Sequence, residues 1–384
     1  MIKQLFEKGN IGHKITRNRF VAQPMEGNCA DKGGSVSQLT INKYKNLAEG
    51  NWGIIIVEAL SVTPTSLARK NALVLNEKNL DGFKKLVNEI KLINPEALIL
   101  FQITHSGSIS NPNFSEQVAI SPLSEGRLLS TDEIEKIKEG FVKCARLAEE
   151  AGADGIDYKS CHGYLGAEIL RPMNIRNDKW GGSWENRTRF LREGIEEISA
   201  NRKRNDFLIG CRISMYEGMR GCEGTSAPEE LIEDLSEQIA LLQLLNKLKM
   251  DYVNISAGIP AKTPTLTRPV QSAALMYLHH MRYTQFAKQT LSNTNMKVIG
   301  SAYSILREDA FKVAEEMLSK HYTDFVGWGR QTLADPLMPK KLEYGESINF
   351  CTACSGCSKM MIKQINVGCI MFDEHYKRYW KENL

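Results

Sequence analysis

Short apolar runs rich in β-branched residues recur along the chain, with longer amphipathic stretches between them. The runs cover residues 19–24 (RFVAQP), 53–59 (GIIIVEA), 97–104 (ALILFQIT), 154–159 (DGIDYK), 207–214 (FLIGCRIS), 251–256 (DYVNIS), 297–301 (KVIGS) and 324–329 (DFVGWG). They are nearly continuous rather than alternating, which suits strands buried on both faces of a parallel sheet. The stretch 130–152 reads as a helix: Ser130 or Thr131 caps it, acids fill its first turn, apolar residues recur at three and four, and Gly152 follows its end. Residues 227–248 give a second helix, and 271–291 a third that carries His279 and His280 as surface or packing residues. Eight strand–helix alternations predict a (β/α)8 TIM barrel. The competing open doubly wound sheet lacks its G-x-G-x-x-G turn after the first strand. The alternation breaks near residue 345, so the barrel is assigned to 1–345 and a small cysteine-rich extension to 346–384.

Composition changes this picture little. Of 384 residues, 42% are hydrophobic and 24% charged, and a chain of this size builds its core without staples. A net charge of +4 argues for neither a nucleic acid nor a membrane partner. The N-terminal MIKQLFEKGNIGHKIT lacks the apolar core and cleavage site of a signal peptide, so a cytoplasmic protein is expected. Five of the nine cysteines are scattered, and four crowd the C-terminus as Cys351, Cys354, Cys357 and Cys369, spaced C-x2-C-x2-C-x11-C. In a reducing compartment that crowd reads as metal ligands before disulfides. The count suits zinc, but tight C-x2-C-x2-C runs more often hold a [4Fe–4S] cluster.

A barrel of this class keeps its active site at the C-terminal ends of the strands. The polar residues there include Gln23 to Glu26, Gln102, His105, Arg212, Ser301 and Gly329–Arg330. The fourth strand runs into YKSCHGYLG, which puts Lys159, His162 and Tyr164 within six positions. Taken alone, that stretch reads as a polar loop before a catalytic one. His105 is equally balanced between contacting the site and bonding loop backbone.

The motifs themselves go further. QPMEG after strand one, QITHSG after strand three, HGYLGAEILRPMNIRNDKWGGSWENRTRF after strand four, CRIS after strand five and GWGRQTLADP after strand eight resemble the old yellow enzyme family of NADH:flavin oxidoreductases. The match runs in order over residues 11–340, and the C-terminal cysteines narrow it to the branch similar to 2,4-dienoyl-CoA reductase and trimethylamine dehydrogenase. The resemblance implies a flavin mononucleotide (FMN) enzyme that reduces activated C=C bonds of a small-molecule substrate at the expense of NAD(P)H. It implies that Pro24, Met25 and Glu26 pass the flavin ring, Ala59 lies beside it, Gln102 bonds its pyrimidine edge and Arg212 stabilises its reduced anion. It assigns the phosphate to Ser301, Ala302, Tyr303, Gly329 and Arg330. It makes Lys159 and His162 the donors to the substrate oxygen and Tyr164 the acid toward the α-carbon. It agrees with a [4Fe–4S] cluster on the four cysteines, with zinc as the alternative.

Three features depart from the family pattern. Lys159 stands where familiar members carry histidine, which favours a carboxylate or thioester oxygen over a plain ketone unless Lys159 pairs with Glu26 or Glu58. Glu26 replaces Thr or Cys, and its charge disfavours a reduced anionic flavin unless Lys159 or Arg212 neutralises it. Trp180 replaces a tyrosine and reads as packing. In the large relatives the cluster hands electrons to a C-terminal nucleotide-binding module, whereas this sequence ends at Leu384. The expectation is therefore direct reduction by NAD(P)H or a separate electron-transfer protein. The alternatives are an oxidative amine dehydrogenase or demethylase, and an FMN/iron–sulfur electron-transfer subunit of a larger complex; a homo-oligomer is compatible with each.

Overall fold

A computed structural model describes residues 2–268 and 273–383. Eight strands form the expected closed barrel. They are β1 (Phe20–Ala22), β2 (Ile54–Ser61), β3 (Leu98–Thr104), β4 (Gly155–Ser160), β5 (Leu208–Ser214), β6 (Tyr252–Ser256), β7 (Lys297–Gly300) and β8 (Phe325–Trp328). Neighbours pair in parallel all the way round, and β8 closes on β1 through Val326 opposite Phe20. A helix follows each strand: α1 (Gln38–Glu49), α2 (Leu80–Ile93), α3 (Thr131–Glu150), α4 (Trp184–Asn201), α5 (Ser236–Lys247), α6 (Arg282–Thr290), α7 (Asp309–Ser319) and α8 (Met338–Tyr344). The (β/α)8 reading of the sequence is borne out.

The lumen explains where the site must lie. Ile11, Val21, Ile54, Leu98, Tyr252 and Phe325 are among the residues of a compact apolar cluster inside the barrel. It is separate from the larger core between strands and helices. A hairpin (Gly9–Ile11 with Lys14–Thr16) inserts Ile11 into this cluster and seals the N-terminal mouth. Gly210 leaves room for it, because a Cβ there would lie 2.1 Å from the Tyr252 ring. Above that plug the lumen turns polar. Gln23 and Asn254 exchange two hydrogen bonds of 2.9 Å, and the Gln102 amide donates to Asp157 Oδ2 at 2.6 Å. One mouth is thus closed by hydrocarbon, and the other presents polar groups.

Helix α3 starts where its pattern predicts. Ser130 and Glu133 complete a reciprocal capping box, and Ile134, Phe141 and Ala145 face the core. The expected helix 227–248 is shorter than its pattern and begins only at Ser236. Residues 227–235 form turns instead, with the Gly221 N–H bonding Glu230 O and the Asp234 N–H bonding Gly224 O. Those backbone groups are taken by the neighbouring loop, so no helical ladder forms. The third helix is continuous over its described residues, from Ala273 to Thr290. Residues 271 and 272 lie outside the described part, and Tyr277–Met281 make a π turn ahead of α6. Beyond α8, residues 349–367 run back across the open mouth and carry a further helix, α9 (Gly356–Ile362).

Candidate active site

A cavity of about 470 Å³ fills the polar mouth. Its deep part is an anion cradle. Arg212 on β5 and Arg330 after β8 each hold a buried guanidinium nitrogen, Nε and Nη1 respectively, with no partner among the described residues. Ala302 is left-handed (φ 74°) at the entry to a short turn after β7. A Cβ on Gly329 would lie 3.1 Å from Met25 Sδ, so glycine keeps the backbone open to close approach. Unpaired guanidinium N–H groups beside a left-handed turn suit a phosphate and the electron-rich edge of a flavin. The residues present therefore fit FMN. Pro24, Met25, Gln102 and Ser301 also line this cavity. Ala59 lines a small space behind Glu26 instead, and the Tyr303 side chain packs on Trp328, which leaves only its backbone beside the turn.

Asp157 was not singled out from the sequence. It lies beneath Gln102, and burial pushes its carboxyl up to about 6 against the pull of the Gln102 bond and Arg212. Its position in an apolar-looking strand hid it.

The β4 end brings Lys159, His162 and Tyr164 to one wall of the same cavity. His162 Nε2 lies 2.6 Å from Ser256 Oγ. Burial, followed by Arg212 and Lys159, holds the imidazole far below its usual value and so neutral. The Tyr164 hydroxyl donates to Glu26 Oε1 at 2.8 Å. Lys159 Nζ sits 3.3 Å from the Tyr164 ring centroid and 3.6 Å from Glu26 Oε1. Glu26 Oε2 forms an ion pair with Arg69 Nε at 2.7 Å. Burial opposes ionisation of Glu26, but Arg69 and then Lys159 outweigh it and bring the carboxyl down to about 2. Glu26 thus faces the cavity as a neutralised anion. Arg69 supplies most of the balance, and it lies in a loop after β2 that carries no motif.

His105 stays out of the cavity lining. Its Nδ1 accepts from the Gly107 N–H at 3.1 Å, and burial holds it down to about 3. His280 does the reverse. The π turn points it inward, where it lines the cavity and lies 2.9 Å from Leu266 O.

The C-terminal segment forms the outer wall. Met361 Sδ accepts from Arg69 Nη2 at 3.0 Å, Gln364 Oε1 accepts from the Lys70 N–H, and the Val367 N–H bonds Gly27 O. The four C-terminal cysteines are free thiols around a small space next to Arg330, and Cys357 borders both this space and the main cavity. Left-handed Ala353 and Ser355 fold the C-x2-C-x2-C run around it. Among the described residues no three such side chains converge closely enough to hold a single metal ion. No described helix is long and apolar enough to cross a membrane.

Residues 4–349 match the family model of the NADH:flavin oxidoreductase / NADH oxidase family. The chain belongs to that family. Among its relatives, an NADH oxidase of Thermoanaerobacter brockii is 34% identical over 95% of this chain, which spans only 53% of that protein. An NADPH dehydrogenase of Clostridium acetobutylicum is 30% identical over 87% of this chain and 92% of its own length. A solved 2-naphthoyl-CoA reductase complex aligns with 99% of this chain and 58% of its own at a TM-score of 0.86 and 23% identity. That last likeness concerns fold alone, and it includes the segment beyond residue 349. As a member of the NADH:flavin oxidoreductase family, the chain is an oxidoreductase.

Proposed function

We propose that this protein reduces the C=C bond of an α,β-unsaturated carboxylate or thioester, using FMN, NAD(P)H and a [4Fe–4S] cluster. The observation that carries this is the placement of the Tyr164 phenol beside His162 and Lys159, above the unpaired guanidinium nitrogens of Arg212 and Arg330. Arg330 and the backbone at Ser301–Ala302 would hold the phosphate, and Arg212 and Gln102 the ring edge. When bound, FMN supplies hydride to the substrate β-carbon. His162 and Lys159 donate to the substrate oxygen, where charge builds, and fixed donors there favour the transition state over the ground state. Tyr164 gives its proton to the α-carbon as general acid.

Charge argues for the substrate class. Among the described residues lining the cavity, Glu26 is the one acid, against Arg69, Lys159, Arg212, Arg268 and Arg330. Arg212 and Arg330 serve the flavin and Glu26 offsets a third cation, so an anion is drawn in and an ammonium repelled. This favours reduction of an acid or thioester over amine oxidation. Cys351, Cys354, Cys357 and Cys369 would hold the cluster: the donor set is four thiols around one space, and a tight C-x2-C-x2-C run suits an iron–sulfur cluster. Cys354 is exposed, which supports exchange of electrons with a separate protein.

An anaerobic absorbance spectrum before and after NADH or NADPH tests the reading. Flavin bands with a broad iron–sulfur shoulder, bleached by the nicotinamide, followed by reoxidation with an unsaturated acid or thioester, are the expected outcome. A protein that binds no flavin refutes it.

A further inference from the structure

Glu26 is a costly residue for a flavin site, and its surroundings show what it does. Its side chain is 14% exposed and touches three groups: the Tyr164 hydroxyl, Arg69 and Lys159. Behind it, Glu58 accepts the Gly27 N–H at 2.6 Å and pairs with Lys43 at 3.0 Å, a unit already neutral in itself. The remaining charged or titratable neighbours are Arg212, Asp157 and neutral His162, which face Lys159, and the buried Cys161 thiol. Arg212 and Asp157 offset each other, which leaves two cations around the phenol, Arg69 and Lys159, for one carboxylate, Glu26. One positive charge stays unbalanced until the phenol itself loses its proton.

We propose that Glu26 is a positioning residue for proton delivery: it aims the Tyr164 phenol, while Arg69 and Lys159 supply the countercharge that phenolate needs. The inference rests on the reading of Tyr164 as the acid. In the step itself, the Tyr164 O–H bond breaks and its proton forms the new C–H bond at the α-carbon. The electron pair for that bond is the one displaced from C=C when hydride joins the β-carbon. Before transfer the phenol oxygen is tethered at 2.8 Å to Glu26 Oε1, so only the hydroxyl hydrogen must swing toward the substrate. Afterwards phenolate and carboxylate face each other. Their repulsion drives the phenolate to take a proton from solvent, which resets the site. Per turnover the substrate gains one hydride from NAD(P)H and one proton from water.

The sign of the electrostatic effect makes this testable. A neighbouring carboxylate makes a phenol harder to ionise, so its removal must make ionisation easier. In the flavin-loaded protein, Glu26→Gln keeps an acceptor and removes the charge. The basic limb of the pH profile for C=C reduction is expected at lower pH than in the wild type. Glu26→Ala removes the tether too and is expected to slow C=C reduction by about tenfold or more. Reduction of the flavin by NADH and its reoxidation by ferricyanide need no proton at carbon and follow the flavin potential alone, so the C=C rate should fall several-fold further than either. An unmoved limb in Glu26→Gln, or C=C and ferricyanide rates that fall together in Glu26→Ala, overturns the proposal. An ultraviolet titration of phenolate gives a readout free of turnover. Glu26→Gln should show one tyrosine that ionises earlier, and this signal should vanish when Tyr164→Phe is added. If the wild type reduces no unsaturated substrate, the wider reading has failed, and the titration still reports on the Glu26–Tyr164 contact.

Discussion

His162 and Gly163 are successive left-handed residues, with φ of 63° and 78°. The turn they make sets His162 and Tyr164 on one wall, and it is pinned from below. The Gly163 N–H donates to Glu217 Oε1 at 3.0 Å, and Glu217 pairs with Arg171 at 2.7 Å, both carboxylate and guanidinium being buried. A buried pair of this kind adds little net stability but fixes geometry at a cost that a loose loop would not require. A Cβ on Gly163 would lie 3.0 Å from Arg171 Nη2 and 3.2 Å from Ile259. Gly163→Ala is therefore expected to displace the turn and cut C=C reduction by about tenfold or more, since small misplacements of catalytic groups are that costly. Flavin content and reduction by NADH should persist, because the cradle of Arg212 and Arg330 is on other strands. Equal loss of both half-reactions would contradict this. The residue types of the site were legible in the sequence, since HGYL and CRIS carry it. Arg69, Glu217 and Asp157 were not, because Arg69 meets Glu26 43 residues away, Glu217 meets Arg171 and Gly163 46 and 54 residues away, and Asp157 meets Gln102 55 residues away.

At the scale of elements, eight turns of strand and helix build the scaffold and one short segment finishes the mouth. Residues 346–384 read from sequence as an appendage, but Met361 and Gln364 are part of the cavity lining. Met361 holds Arg69 and so bears on Glu26; Gln364 ties down Ala68 and Lys70. The double substitution Met361→Ala with Gln364→Ala is expected to raise KM for the unsaturated substrate several-fold, with the KM for NADH and the iron content unchanged. Steady-state kinetics with an iron assay checks this, and an unaltered substrate KM would show that the segment does not shape the site. The element pattern was readable wherever burial set it: all eight apolar runs became strands. It misled at 227–235, where helix-like spacing lost to backbone bonds offered by the loop at 221–224. It was silent on the π turn at Tyr277–Met281, which depends on how His280 is drawn toward Leu266 and Ser301.

For the whole molecule, the buried titratable groups set the response to acid. Burial holds His105 down to about 3, His280 down to about 4 and His162 well below its usual value. The unfolded chain takes up these three protons near pH 6.5, and the folded protein does not. Their contribution to stability is complete above 6.5 and falls as pH drops below it. Asp157, pushed up to about 6, and Glu223, pushed up by burial and then by Glu217, act in the opposite sense, because the folded state accepts their protons first. Three groups oppose two, so stability should decline from pH 7 to pH 5. It should fall further below about 4.5, where Glu26 in the unfolded chain begins to take up a proton that its folded carboxylate resists until about 2. Urea midpoints at pH 7, 5 and 4 check this; a midpoint that rises on acidification would show that the buried acids dominate. By itself the sequence determined the barrel, the order of its strands, the family and the residue types at the mouth. These follow from periodicity and from motifs contiguous in the chain. Only the tertiary structure decided which charges meet. Ion pairing depends on distances of a few ångströms between loops far apart in sequence, so the balance of Glu26 by Arg69 and Lys159, and its hold on Tyr164, exist only once the barrel has closed.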